Sequence, residues 1–172
     1  MKDHATFLKA VKILIEKTPN AQFICAGSTS LGYSDLETSI KSTANNLELD
    51  KQIFWLGSRN DPEHLMAACD LTTLTSDSGE GFPNSVAEST ACGIPCVSTD
   101  IGDSSNIVSN FVPVVPPKNP GALALAWEST LNRDPVKQGQ IALEMRQSII
   151  DRFSCDTIAS RTLDALTRNS VI

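Results

Sequence analysis

The stretch LTTLTSDSGEGFPNSVAESTACGIPCVST, residues 71–99, holds two short apolar runs separated by a polar loop and an amphipathic segment. Leu71–Leu74 and Pro95–Thr99 read as strands, and Pro83–Cys92 as the helix that joins them. Two strands linked through a helix run parallel in one sheet. The same alternation extends outward in both directions. Phe7, Leu8, Val11, Leu14 and Ile15 form an apolar stripe of helical period that stops at Pro19-Asn20. Ala21–Ala26 then reads as a strand, residues 34–49 as a helix, Ile53–Leu56 as a strand and Pro62–Ala68 as a short helix. Beyond residue 99, Ser104–Val108 reads as a short helix and Phe111–Val115 as a strand. A helical tail from Pro120 is broken near Asp134-Pro135 and Ser154. Most of these strands are apolar on both faces, which predicts a doubly wound parallel α/β sheet with helices on each side.

At 172 residues the chain corresponds to one domain. Its 14 Lys and Arg against 20 Asp and Glu give a net charge of −6, which argues against a nucleic-acid partner and against adhesion to anionic lipid through this segment. The five cysteines, Cys25, Cys69, Cys92, Cys96 and Cys155, are unpatterned and odd in number. They read as buried free thiols of a cytoplasmic protein rather than a disulfide scaffold or zinc site. No run is long and apolar enough to span a membrane, and Lys9 and Lys12 interrupt the one N-terminal stretch that resembles a signal peptide.

In such sheets ligands bind at the carboxyl ends of the strands. The loops to inspect are therefore residues 27–33, 57–61, 76–84 and 99–105. Gly27-Ser-Thr-Ser-Leu-Gly32 has the two glycines of a phosphate loop but Tyr33-Ser34 where a lysine is required, so it reads as a plain turn. No G-x-S-x-G elbow anchors a serine hydrolase. Ser76–Glu88 is more informative. Gly79 and Gly81 can take positive φ and let backbone approach a ligand. Pro83 suits the first turn of a helix, leaving the N–H groups of Asn84, Ser85 and Val86 free to face a phosphate or sugar oxygen. Glu80 precedes that helix and Glu88 lies more than a turn inside it. Each carboxylate could accept from the neighbouring hydroxyls of a hexose or ribose. The spacing equally allows Glu80 as a partner of the helix dipole and Glu88 as a solvated helix residue.

E-G-F-P-N-S-V-A-E (residues 80–88), followed by A-C-G-I-P-C-V-S-T-D-I-G-D, closely resembles the signature of retaining GT-B glycosyltransferases of family 4, the glycosyl transferases group 1. K-D-H-A-T-F-L-K-A at the start, F-W-L-G-S-R-N-D-P-E-H-L-M-A-A-C-D-L in the middle, and V-V-P-P-K-N-P-G-A-L-A and R-F-S towards the end extend the likeness over nearly the whole chain. The resemblance implies the Rossmann-like, donor-binding C-terminal domain, with a nucleotide-diphosphate sugar as substrate and no metal or other cofactor. It implies Glu80 as the catalytic-site glutamate on the donor sugar, and Glu88 on the ribose. Gly81, Phe82, Pro83, Asn84 and Ser85 would line the sugar and phosphate site. Arg59, Asn60 and Asp61 would border the nucleobase, and Lys2 would neutralise the departing diphosphate, a task that needs fixed positive charge.

The family's Lys2 equivalent follows a strand ending in G-R-L. The resemblance therefore implies that residues 1–172 form one domain short of its first, central strand, and that the acceptor-binding N-terminal Rossmann-like domain is supplied in cis or by another chain. In a 3-2-1-4-5-6 order, Phe23–Ala26 and Leu71–Leu74 then lose the strand between them. Either those two pair directly, another chain fills the gap, or the fold is strained. Three functions are consistent with this: a donor-binding half inactive alone, a subunit of a split glycosyltransferase, or a non-catalytic α/β assembly domain. A glycosidase is set aside, since it needs two carboxylates flanking one bond, one with a raised pKa.

Overall fold

The computed structural model describes residues 2–28 and 34–168. Its elements are α1 (His4–Ile15), β1 (Phe23–Ala26), α2 (Ser34–Asn46), β2 (Ile53–Gly57), α3 (Pro62–Ala67), β3 (Thr72–Leu74), α4 (Asn84–Ala91), β4 (Cys96–Thr99), α5 (Ser104–Val108), β5 (Val114–Val115), α6 (Pro120–Leu131), α7 (Pro135–Phe153) and α8 (Cys155–Arg168). Every strand pair is parallel, as the alternation predicts. Side-chain caps mark the starts of α1, α6 and α7. Asp3 accepts from the Thr6 N–H at 3.0 Å, Asn119 from Ala122 at 2.9 Å, and Asp134 from Lys137 at 3.0 Å. Prolines follow the last two caps at positions where a missing N–H costs nothing. α2 ends at Asn46 rather than Leu49. Glu48 takes φ +60° and the Leu49 N–H returns to the Ala44 carbonyl, which turns Leu49 into the core. β5 is shorter than Phe111–Val115 because Pro113 has no N–H for a ladder.

The strands form two sheets, β1–β2 and β3–β4–β5. β1 and β3 do not pair, which excludes the direct pairing that was one way to close the sheet. They are nonetheless held to one platform. Phe7 of α1, Phe23 of β1 and Trp127 of α6 form a ring cluster with centroids 5.6–5.9 Å apart. Trp127 Nε1 also donates to Thr73 Oγ1 of β3 at 3.3 Å. Trp127 is fully buried and thus touches both sides of the seam.

The parallel strands are flanked by helices as expected, but β1 and β2 are less completely covered than β4. Only β4 is buried along its whole length, whereas Ile24, Phe54 and Leu56 are 40–45% exposed. The helices α1, α2 and α6 pack together on one side, while α3 spans six residues and packs on α4. All five cysteines are free, but they are not all buried: Cys96 is, Cys25, Cys69 and Cys92 are half-buried, and Cys155 is exposed at the start of α8. Burial pushes the thiols of Cys25 and Cys96 up to about 11. Among the described residues no helix is long and apolar enough to cross a membrane.

Candidate donor site at the carboxyl ends of the strands

Beyond β3 the chain continues through Thr75 and Ser76, and the segment before α1 runs antiparallel beside it. The Asp3 N–H donates to the Thr75 carbonyl at 2.9 Å, Thr75 Oγ1 donates to the Asp3 carbonyl at 3.0 Å, and Lys2 bridges Ser76. This pairing carries Lys2 to Glu80, 78 residues away in sequence, with Nζ 2.6 Å from Oε1. Ser76 Oγ donates to the same carboxylate oxygen at 2.5 Å. These two donors, Lys2 first, favour the charged form and hold the Glu80 carboxyl below the usual carboxylate range. The Ser76 carbonyl in turn accepts from Thr99 Oγ1, at the end of β4, at 2.5 Å.

The loop from Gly79 to Pro83 departs from the sequence expectation in three places. Gly79 takes φ +78° as expected, but Gly81 does not lie in the left-handed region. A methyl group on Gly81 would meet no atom within 4 Å, so the space above it is open. Pro83 is the N-cap of α4, with extended backbone, rather than a residue of the first turn. The Val86 N–H is not free for a ligand either: the first turn is tight, and this group bonds the Pro83 carbonyl three residues back at 3.0 Å, which leaves Asn84 and Ser85 as the candidate donors. Glu88 is exposed on α4, and its carboxylate makes no hydrogen bond or ion pair among the described residues.

Two flanking elements hold this loop. The Asp103 N–H donates to the Gly81 carbonyl at 2.9 Å. Gly102, at φ +59°, lies so close that a side-chain methyl there would overlap the carbonyl oxygens of Glu80 and Gly81. On the other flank the half-exposed ring of Phe82 stacks edge-on against Phe153, centroids 5.2 Å apart. Arg152 covers that second ring at 4.6 Å and donates to Asn106 and Ser109, tying the end of α7 to α5.

Arg59, Asn60 and Asp61 follow β2 and thus sit on the other sheet. Arg59 grips Asp61 with two bonds of 2.8 and 2.7 Å, so Asp61, although the N-cap of α3, makes no side-chain cap bond. The bonds raise the arginine pKa and lower that of the carboxyl. The structure thus joins Lys2, Glu80 and Gly81 into one unit, keeps Arg59–Asp61 as a second unit across the seam, and leaves Glu88 alone. Of the loop after β1, residues 29–33 lie outside the described residues. Sequence reading does not single out Ser76, Thr99, Gly102 or Asp103. A glycine between two aspartates just after a strand, D-I-G-D, was the signal available for the last pair.

The sequence profile of a family described as "Glycosyl transferases group 1" matches residues 1–151. The chain is 31% identical over 111 residues to the Escherichia coli UDP-Gal:alpha-D-GlcNAc-diphosphoundecaprenol alpha-1,3-galactosyltransferase, a match covering 63% of this chain and 27% of that protein. It is 24% identical over 131 residues to the Bacillus anthracis N-acetyl-alpha-D-glucosaminyl L-malate synthase, covering 72% of this chain and 32% of the relative. Among solved structures, Anabaena Alr3699/HepE in complex with UDP superposes with a TM-score of 0.87 at 26% identity, over 97% of this chain and 45% of that one. The same protein with UDP-glucose gives a TM-score of 0.85. The chain therefore spans less than half the length of these relatives.

Proposed function

We propose that this chain, which belongs to the glycosyl transferases group 1 family, is the donor-binding half of a retaining family 4 glycosyltransferase that moves a hexose from a nucleotide-diphosphate sugar to an acceptor and has no transferase activity alone. The observation that carries the reading is the Lys2–Glu80 pair at the carboxyl end of β3, beside the start of α4. In this reading Glu80 accepts hydroxyls of the donor sugar and Lys2 meets the diphosphate, where the N–H groups of Asn84 and Ser85 also point. The open space over Gly81 admits the sugar, Glu88 accepts the ribose hydroxyls, and the backbone of Arg59 to Asp61 borders the base. Fixed positive charge from Lys2 and the end of α4 does the work of a divalent metal on the leaving diphosphate. UDP-sugars are the first donors to test, because the Anabaena neighbour was solved with UDP and UDP-glucose. The free cysteines support a cytoplasmic location, where thiols stay reduced.

Isothermal titration of the chain with UDP in EDTA checks both the site and the metal-free binding. Wild type is expected to bind, and Glu88→Ala to lose roughly tenfold in affinity, the worth of a hydrogen bond to a charged group. Equal heats for the two proteins would remove the ribose role from Glu88.

The open seam between β1 and β3 favours a second reading, in which residues 1–172 are one domain of a split enzyme. A partner polypeptide then provides the intervening strand and the acceptor-binding Rossmann-like domain. Adding such a polypeptide is expected to start transfer with retention at the anomeric carbon, seen by NMR of the product. An inverted anomer would exclude the retaining assignment.

A further inference from the structure

We infer that Ser76 is a positioning residue that decides which oxygen of Glu80 is offered to the donor sugar; this rests on the donor-site reading above. Both donors to the Glu80 carboxylate, Ser76 Oγ and Lys2 Nζ, converge on Oε1. That leaves Oε2 to accept from a ligand hydroxyl. The two donors differ in how firmly they are held. The Lys2 side chain is half exposed and flexible. Ser76 is fully buried, its carbonyl is taken by the buried Thr99 hydroxyl, and its backbone is bridged to Lys2.

Donor binding separates their fates. A diphosphate carries more negative charge than one carboxylate, so it draws Lys2 Nζ away from Glu80. Once that happens, the Ser76 hydroxyl is the remaining anchor of Oε1. Without it the carboxylate is free to turn about its last torsion, and the sugar hydroxyl meets an acceptor with no fixed direction. Ser76 therefore matters more in the liganded protein than in the free one, and it acts on the sugar rather than on the nucleotide.

The experiment titrates UDP and UDP-glucose separately into the full chain as wild type, Ser76→Ala and Ser76→Thr. Wild type is expected to bind UDP-glucose more tightly than UDP. Ser76→Ala should keep UDP affinity within about twofold and lose roughly tenfold on UDP-glucose. Ser76→Thr, which retains the hydroxyl, should restore most of that difference. If Ser76→Ala weakens both ligands in proportion, Ser76 is merely structural and the inference fails. It fails also if UDP-glucose binding is unchanged in Ser76→Ala, or if wild type gains nothing from the glucose. Wild type that binds neither ligand would instead overturn the donor-site reading itself.

Discussion

Trp127→Ala is expected to remove a large share of the folding stability of the chain. Emptying a fully buried tryptophan site costs about 3–5 kcal/mol, against a total stability of roughly 5–15 kcal/mol for a domain. Here the loss goes beyond the cavity. Trp127 packs on Phe23 of one sheet and donates to Thr73 of the other, so its removal also unties the two halves of the strand layer. Trp127→Phe separates much of these contributions, since it keeps most of the apolar volume but loses the N–H along with part of the indole. Urea unfolding followed by circular dichroism should place the Phe variant about 1–2 kcal/mol below wild type and the Ala variant far lower. Similar midpoints for the Ala variant and wild type would show that the sheets are tied elsewhere.

Gly102→Val is expected to lower donor affinity by roughly a hundredfold while the chain remains folded. At φ +59° a residue with a side chain costs about 1–2 kcal/mol, and a β-branched one more. The new methyl groups must also displace the carbonyls of Glu80 and Gly81, which moves the carboxylate and the backbone meant to face the sugar. Overlap of this kind adds about 1–3 kcal/mol of strain. Calorimetry with UDP-glucose, paired with urea unfolding, reads both effects. Undiminished affinity in a folded Gly102→Val protein would mean that the loop at residues 101–103 does not hold the site.

The order of elements was legible because strands and helices have different apolar periods, and because Pro83, Pro120 and Pro135 stand at or beside helix starts. The division into two sheets was half legible. Setting the strands against the doubly wound order shows that β1 and β3 lack a neighbour, but only coordinates show that they stay apart. The resemblance names the members of the candidate site, but not how they are wired to one another. Lys2 and Glu80 are 78 residues apart, and nothing in their spacing announces an ion pair. The Val86 N–H is taken because the first turn of α4 closes on the Pro83 carbonyl three residues back, a tightening that no residue type announces. Ser76 and Thr99 do not stand out because a hydroxyl residue in a loop or at the end of a strand is ordinary in sequence. Only burial and bond direction mark these two out.

The unpaired edges of β1 and β3 also set how the protein behaves in a crowd. Each edge presents a row of main-chain donors and acceptors to any extended peptide, and the half-exposed Ile24 of β1 and Phe54 and Leu56 of β2 lie close by. An extended polypeptide laid into the seam would cover main-chain groups and apolar surface together, so solubility is expected to improve with such pairing, as light scattering would read.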